Sequence, residues 1–338
     1  MLAAVGILGA LPPAVASASP QQALGWTEQA PAVSPSARAW PSMAYDAATG
    51  TVVLFGGWDG TSRVSDTWTW NGATWTKQAP AVHPFARFGG AMAYDAATGT
   101  VVLFGGYGYG KADIFFGDTW TWNGTTWTEQ HPATSPPGRW GAAMAYDAAT
   151  GTVVLFGGNG QRGYLGDTWT WDGTTWTEQA PATSPTARAD GAMAYDAATG
   201  TAVLFGGVGR GAAGVGHPAE PNVYDAGTWT WDGTTWTNQA PATSPPTRTF
   251  AYMTYDAATG TAVLFGGYDQ AGCLFGDTWT WDGRTWTKQA PATSPRARAE
   301  GAMAYDAATG TAVLFGGYDQ TGGCARRPQY LAQTWTWG

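Results

Sequence analysis

Charged residues, cysteine and histidine are scarce in this chain of 338 residues. Asp, Glu, Lys and Arg together make up 12% of the sequence, and there are 2 cysteines and 3 histidines. The net charge of −8 argues against a nucleic-acid partner, because binding to phosphates requires a basic surface. His83, His131 and His217 follow none of the spacings typical of a metal site, so we predict no metal and no other cofactor.

Long apolar runs are also missing. Outside residues 1–18 no segment approaches the ~20 apolar residues that a membrane-spanning helix needs. Residues 1–18, MLAAVGILGALPPAVASA, are apolar, uncharged and end in small residues, a pattern typical of a secretory signal peptide. We therefore predict a secreted protein whose mature part, 19–338, is one domain. A disordered Ala-rich tail is the alternative interpretation of residues 1–18.

The two cysteines, Cys273 and Cys324, occupy equivalent loops of neighbouring repeats. They lie shortly after the Phe-Gly-Gly motifs of the last two copies of the repeat described next. In an exported protein a disulfide between them is the first interpretation, and two free thiols are the second.

The sequence is dominated by a block that recurs six times with small variations. It reads MAYDAATGTVVLFGG and, after a variable stretch, DTWTWNGTTWTEQ. Successive Tyr-Asp pairs are separated by 49, 52, 49, 60 and 50 residues, and each unit holds four short runs of β-forming residues. This period is typical of a β-propeller, and the 49 glycines and 21 tryptophans, without any long helical periodicity, favour an all-β fold. We predict a six-bladed β-propeller of four-stranded antiparallel blades.

The second repeat illustrates the four predicted strands. They are Ala91 to Tyr94, Thr100 to Phe104, Thr119 to Trp122 and Thr126 to Glu129, with tight turns at Asp95 and at Asn123. The last repeat ends at Gly338 without a fourth strand, and residues 25–31 carry the missing piece. We therefore expect the N-terminal strand to complete the last blade and to remove the open edge of the ring.

These repeats resemble the kelch family. The matching features are the Gly-Gly after strand two, the Tyr before the first turn, the Trp of strands three and four, and an Arg after a Pro-rich link. The resemblance implies a propeller from residue 25 onward, but kelch propellers serve as binding modules and as enzyme scaffolds alike. Galactose oxidase has such a propeller as its central domain, yet the two histidines and the Tyr–Cys crosslink of its copper site have no counterpart in this sequence.

Each first strand is preceded by an arginine at the same place in the repeat. Six cations around one end of a propeller could bind an anionic ligand, as matching arginines do in kelch propellers that bind acidic peptides. The alternative is structural, with each guanidinium donating hydrogen bonds to loop carbonyls. The six arginines are Arg38, Arg87, Arg139, Arg188, Arg248 and Arg298.

Residues that differ between repeats are the candidates for a specific function. Eighteen of the 21 tryptophans occupy repeated strand positions, and the other three lie in the first three repeats, on the face where the links and the strand two–three loops should open. Aromatic platforms beside hydrogen-bonding groups suit sugars and peptides. The alternative is ordinary drift in tolerant loops. The predicted ligand-binding residues are Trp40, Trp58, Asp59, Phe88, Tyr107, Trp140, Asp190, Phe250, Tyr268, Glu300 and Tyr318.

The function predicted from these features is a secreted, non-catalytic propeller, acting as a monomer, that binds an extracellular glycan or a protein segment. The alternative is a polysaccharide hydrolase or lyase. For that activity Asp190 and Glu300 are the candidate acid/base pair, two positions after their arginines in repeats four and six. No nucleophile elbow, P-loop or dinucleotide-binding motif is present. A third hypothesis is an envelope scaffold without a small ligand.

Overall fold

A computed structural model describes residues 24–109, 113–210, 222–320, 324 and 328–338. Within these ranges the chain forms strands and turns but no α-helix, and so it offers no helix that is long and apolar enough to cross a membrane. The predicted signal peptide, 1–18, lies outside the described residues, and so does His217.

The strands are short and follow one another along the whole described chain. In order they are β1 (Trp26–Gln29), β2 (Ser42–Asp46), β3 (Thr51–Phe55), β4 (Thr67–Trp70), β5 (Trp75–Gln78), β6 (Ala91–Asp95), β7 (Thr100–Phe104), β8 (Tyr107–Tyr109), β9 (Asp113–Phe115), β10 (Thr119–Trp122), β11 (Trp127–Gln130), β12 (Arg139–Trp140), β13 (Ala143–Asp147), β14 (Thr152–Phe156), β15 (Asn159–Gly160), β16 (Gly163–Tyr164), β17 (Thr168–Trp171), β18 (Trp176–Gln179), β19 (Arg188–Ala189), β20 (Ala192–Asp196), β21 (Thr201–Phe205), β22 (Val208–Arg210), β23 (Asn222–Tyr224), β24 (Thr228–Trp231), β25 (Trp236–Asn238), β26 (Tyr252–Asp256), β27 (Thr261–Phe265), β28 (Thr278–Trp281), β29 (Trp286–Gln289), β30 (Ala299–Asp306), β31 (Thr311–Asp319), β32 (Gln329–Tyr330) and β33 (Thr334–Trp337).

Six blade-like sheets repeat the same pattern of four antiparallel strands. In chain order the sheets are β2-β3-β4-β5, β6-β7-β10-β11, β13-β14-β17-β18, β20-β21-β24-β25, β26-β27-β28-β29 and β30-β31-β33-β1, the last with β32 added to β31. We call them the first to the sixth sheet. Small ladders are also present: β8-β9 lies in a loop between second and third strands, and β19-β22-β23 joins such a loop to the link before the first strand.

The strands of the second repeat agree with the sequence prediction except at three ends, each by one residue; the third is the end of β11, at Gln130 rather than Glu129. β7 and β10 coincide with it, whereas β6 continues to Asp95, which pairs with Thr100 as the last rung of the ladder. β11 begins at Trp127, one residue late, because the Thr126 amide donates to the Asn123 side chain at 2.9 Å and so belongs to the turn. At the end of β6 and at the start of β11 a turn-forming side chain sets the boundary.

The first strands of successive sheets contact each other in sequence order. β2 contacts β6, β6 contacts β13, β13 contacts β20, β20 contacts β26, β26 contacts β30, and β30 contacts β2. The two ends of the chain meet in the sixth sheet, where β1 pairs with β33 and Trp26 lies opposite Trp337. As expected, the N-terminal strand supplies the fourth strand that the last repeat lacks.

The hydrophobic core lies between neighbouring sheets. Trp127 of the second sheet is 2% exposed and packs against Phe55 of the first, and its indole Nε1 donates to Thr67 Oγ1 at 2.9 Å. The same hydrogen bond joins each fourth-strand Trp to the preceding sheet. The repeated tryptophans therefore fasten one sheet to the next, and they are not free to bind a ligand.

Candidate functional site

The links before the first strands and the loops after the second strands meet on one face of the protein. Ala39 bridges to Trp58, Phe88 to Tyr107 and Thr249 to Tyr268, and the ladders β12-β15 and β19-β22 make the same connection in the third and fourth sheets. We call this face the mouth. The sequence analysis predicted that the residues that differ between repeats lie on this face.

Six residues, one from each link, form a ring of main chain at the centre of the mouth, which we call the collar. They are Trp40, Gly89, Gly141, Asp190, Phe250 and Glu300. All six have positive φ, from 51° at Trp40 to 66° at Gly141. In five of the six neighbouring pairs the amide of one collar residue donates to the carbonyl of another, for example Asp190 to Gly141 at 2.7 Å. The collar backbone is thus fixed independently of its side chains.

The repeated arginines lie beneath this face and are buried. Arg38 is 0% exposed; it donates to both Asp66 carboxylate oxygens, at 2.6 and 3.1 Å, and to the Gly56 carbonyl at 3.0 Å. Arg87, Arg139 and Arg248 repeat this arrangement with Asp118, Asp167 and Asp277. Guanidinium groups engaged in this way hold loops to sheets, which supports the structural interpretation over anion binding.

The remaining two arginines use different partners, because their repeats lack the aspartate before the third strand. Arg188 pairs with Asp225 at 3.0 Å, and Arg298 donates to the Gln333 side chain at 2.7 Å. Burial lowers the pKa of both guanidinium groups, and for Arg188 the charge of Asp225 opposes this effect. Neither arginine reaches Asp190 or Glu300 by a hydrogen bond or ion pair among the described residues.

Aromatic side chains converge above the collar. Trp40 stacks on Phe88 with ring centroids 4.9 Å apart, and Phe250 lies between Trp40 at 6.3 Å and Trp140 at 6.4 Å. Phe250 also stacks on Tyr268 at 5.4 Å. The rings come from the first, second, third and fifth sheets, so the aromatic group extends across the mouth and is not confined to the first three repeats as the sequence suggested.

Arg63 is a cation of the mouth that the sequence analysis missed. Its guanidinium carbon lies 5.0 Å from the ring centroids of both Phe88 and Tyr107 and 5.6 Å from that of Trp58. It stands in a variable loop where nothing in the repeat marks it. Trp58 therefore belongs to a cluster around Arg63 and, among the described ring contacts, does not join the stack of Trp40, Phe250 and Trp140.

The two collar carboxyl groups have strongly altered acidity. Burial raises the pKa of Asp190 well above its ordinary value. Burial also raises the pKa of Glu300, which is 8% exposed, and a negative charge on Asp190 raises it further. Asp190 keeps some contact with solvent at the rim, but its Oδ1 lies over the Gly141 backbone, where a Cβ atom would be 2.2 Å away.

Tyrosines surround the two carboxyl groups. Burial, followed by the charge of Glu300, raises the pKa of Tyr268 and of Tyr318, and burial followed by the charge of Asp190 does the same for Tyr164 and Tyr224. Only Tyr268 and Tyr318 were candidates from the sequence. Tyr164 and Tyr224 follow strand two at different distances, so no fixed spacing identifies them.

Asp59 and the cysteine pair shape loops at the rim. The Asp59 carboxylate accepts hydrogen bonds from the Thr61 and Ser62 amides, both at 2.8 Å, and these bonds hold its pKa below the usual range against the effect of burial. It orders its own turn, and its role as a ligand-binding residue stays a prediction. Cys273 and Cys324 form a disulfide, which joins the loops of the fifth and sixth sheets.

Three cavities matter for function. The collar residues and their neighbours enclose about 130 Å³ at the mouth. The opposite end of the same axis has a space of about 270 Å³, lined by the repeated Met and Tyr of the first strands, such as Met43 and Tyr45. The largest, about 540 Å³, lies between the loops of the second and third sheets and has a mainly apolar lining that includes Ile114 and Leu165. Among these, only the collar cavity combines rings with carboxyl groups.

The chemical groups that the mouth presents are aromatic rings, carboxyl groups and phenols. Within the described ranges no group of three or more His, Cys, Asp or Glu side chains is placed to hold a metal ion. The mouth offers aromatic faces and two carboxyl groups, and each carboxyl lacks a hydrogen-bonding partner in the described part of the chain.

Comparison with known proteins supports the fold alone. No family model matches the chain, and no curated protein matches it in sequence. Among solved structures, that of YjhT matches with a TM-score of 0.65 and 16% identity over 88% of this chain and 95% of that one. At this level of identity the likeness extends to the propeller-like repeat of four-stranded sheets and to nothing more specific.

Proposed function

We propose that this protein is a secreted, kelch-type, six-bladed propeller that binds a glycan at its mouth without transforming it. The closed ring is supported by the cyclic order of contacts between first strands and by the pairing of β1 with β33. Export is supported by the apolar segment 1–18 and by the disulfide, since disulfides persist in oxidising compartments.

The observation that carries the binding proposal is the presence of side chains at strained collar positions. The backbone requires positive φ at all six positions, and glycine adopts it freely at Gly89 and Gly141. Trp40, Phe250 and Glu300 adopt it at a cost of about 1 kcal/mol or more each. Large aromatic and acidic side chains kept where glycine would be more stable are therefore best explained by a ligand that needs them.

A glycan fits the chemistry of these side chains. Sugar rings stack their apolar faces on aromatic rings, and their hydroxyl groups donate to carboxyl and phenol oxygens. Trp40, Phe250 and Trp140 supply the rings, while Asp190 and Glu300 lie on either side of Phe250 in the collar. A protein segment would use the same surface, and it is the second candidate ligand.

Catalysis is less well supported by the same residues. A glycoside hydrolase needs one carboxyl group protonated and the other ionised, which requires environments that separate their pKa values. Here burial raises the pKa of both Asp190 and Glu300, and the charge of Asp190 raises that of Glu300 further, so neither environment favours the ionised carboxylate that the reaction needs. Among the described residues no arginine pairs with either carboxyl to keep it ionised.

The test is to measure retention of the purified protein on a panel of immobilised polysaccharides while following the release of reducing ends. We expect retention without release. Trp140→Ala should weaken retention by about tenfold, whereas Phe85→Ala, which removes a ring that is 75% exposed on a link, should leave it unchanged. Release of reducing ends that Glu300→Gln abolishes would establish the enzymatic alternative. Retention on no glycan would reject this proposal in favour of a protein ligand.

A further inference from the structure

The two collar carboxyl groups are unusual because the buried Glu300 and the half-buried Asp190 both lack a partner among the described residues. Within the described residues neither the Asp190 nor the Glu300 carboxyl takes part in a hydrogen bond or an ion pair, although other acidic groups of the mouth, such as Asp59 and Asp225, do. The Glu300 oxygens are not sealed off, since they border the collar cavity. Buried polar groups are normally satisfied, so an unsatisfied pair facing a cavity indicates a missing ligand group.

The missing group must donate hydrogen bonds and tolerate aromatic surroundings. Phe250 separates Asp190 from Glu300 along the collar, with Tyr268 stacked on it and Trp40 and Trp140 on its other sides. The faces of such rings attract cations, and carboxylates attract them more strongly. Arg63 lies over Phe88 and Tyr107, Arg188 pairs with Asp225, and Arg298 donates to Gln333. A cationic ligand group would still find the two collar carboxyl groups without an ion-pair partner among the described residues.

The cavity also limits the size of this group. Its volume is about 130 Å³, so only a small group can sit among the collar residues. An ammonium group with part of the ring that carries it fits this space, whereas a longer segment of polymer has to lie above the collar, on the surface around Trp140 and Phe88.

We propose that the collar binds the protonated amine of an amino sugar, so that the preferred glycan is one with free amino groups. This inference rests on the proposed function and names the ligand class of the same site. The ammonium group donates hydrogen bonds to Asp190 and Glu300 while the sugar ring stacks on the neighbouring aromatic rings. N-acetylation of the sugar removes both the charge and the fit.

Proton release accompanies this binding. Burial raises the pKa of both carboxyl groups, and an ammonium group beside them favours their ionised forms, so its arrival should lower these pKa values and release any proton held there. The amine affinity therefore rises with pH until the amine itself loses its proton. The other titratable groups that face the pair are Tyr164, Tyr224, Tyr252, Tyr268, Tyr318 and Tyr330, all of which have raised pKa values and remain neutral in this range.

Calorimetric titration with three tetrasaccharides of the same β-1,4 backbone tests the inference. The probes are tetraglucosamine, its fully N-acetylated form, and cellotetraose, each measured in two buffers that differ in ionisation enthalpy. We expect tetraglucosamine to bind at least about tenfold more tightly than the other two, with proton release that they do not cause. Glu300→Gln should abolish the preference and the proton release but leave the affinity for cellotetraose. Glu178→Gln, the same change on an exposed outer strand, should change neither.

The outcomes separate this inference from the proposed function. Equal affinity for the three probes, or a preference that survives Glu300→Gln, would overturn the amine site while leaving a glycan-binding mouth. No binding of any probe, together with no retention on the polysaccharide panel, would reject both. A thermal melt of Glu300→Gln shows that the variant is folded, and the neutral amide fits the same space.

Discussion

Asp225 forms an ion pair with Arg188 at 3.0 Å. In most of the other repeats the aspartate that pairs with the arginine stands two residues later. In the first repeat the corresponding partner of Arg38 is Asp66, which immediately precedes the third strand. The fourth repeat has Gly227 at that place and still keeps the ion pair. In the fourth repeat, then, an aspartate from the preceding loop takes the place of the aspartate next to the third strand and neutralises the buried Arg188.

The ion pairs should differ in their contribution to stability. Asp66→Asn leaves the fully buried Arg38 without its charge partner, and we expect a loss of about 3 kcal/mol in the free energy of unfolding. Asp225→Asn should cost less, about 2 kcal/mol, because Asp225 is 31% exposed and water already weakens its attraction for Arg188, although Arg188 itself is buried. Urea unfolding of the two variants measures the difference. Equal losses would show that the two pairs are equivalent.

Acid should weaken the protein through the same aspartates. Burial by itself raises the pKa of Asp66, Asp167 and Asp277, but hydrogen bonds from the arginines outweigh it and hold each pKa below the ordinary value of 3.8. A carboxyl group with a lowered pKa stabilises the folded state above its unfolded pKa and loses that effect as pH falls through the folded pKa. We expect stability to fall steeply below about pH 4. In Asp66→Asn this fall should be shallower.

Glu300 should have the opposite effect on stability. Its raised pKa means that the folded protein binds the proton more tightly than the unfolded chain, so stability falls as pH rises from the ordinary value of 4.5 toward the folded pKa. Glu300→Gln should remove this slope and raise the melting temperature at neutral pH. Melting temperatures of both proteins, measured at successive pH values from 4.5 upward, test this. Parallel curves would contradict the raised pKa.

The disulfide between Cys273 and Cys324 should stabilise the fifth and sixth sheets. It closes a loop with a sequence separation of 51, for which chain entropy predicts a contribution of about 4 kcal/mol or less. The double variant Cys273→Ser and Cys324→Ser should melt at a lower temperature, and a reductant should lower the melting temperature of the parent protein but not that of the variant. Insensitivity of the parent to reductant would contradict this.

Backbone strain at the collar predicts a reversal of the usual order of alanine and glycine. Asp190 has φ of 60°, so Asp190→Gly should be about 1 kcal/mol more stable than Asp190→Ala. At Thr177, an exposed residue within an outer strand, the glycine variant should be the less stable of the two. Chemical unfolding of the four variants tests the comparison. The same order at both positions would show that the collar is not strained.

Much of the fold was predictable because six copies of one pattern leave little freedom. The Thr-Trp alternation, the Asp turns and the missing last strand each determine local geometry, and the structure confirms the four-stranded antiparallel sheets and the pairing of the chain ends. The boundaries shifted by one residue where turn side chains, such as that of Asn123, competed with the ladder.

Site residues were predictable only where they occupy a fixed position in the repeat. Trp40, Asp190, Phe250 and Glu300 stand out because a fixed spacing from an arginine places them at equivalent points. Arg63 lies in a loop of unrepeated sequence, and its position depends on contacts across sheets that no spacing encodes. The grouping of Phe250 with Trp140 was missed for the same reason, since side chains two sheets apart meet only at the axis.

Because the collar is held by main-chain hydrogen bonds, its side chains are exchangeable without rebuilding the scaffold. The available exchanges are not equal: a Cβ at Gly141 would meet Asp190 Oδ1 at 2.2 Å, whereas one at Gly89 would meet Trp140 at 3.3 Å. A side chain at Gly141 therefore requires the Asp190 side chain to move aside or to be shortened, so the residues at these two positions depend on each other. A library of variants should therefore change positions 141 and 190 together and the other collar positions one at a time. Such variants could be screened for new ligands while the collar backbone stays the same.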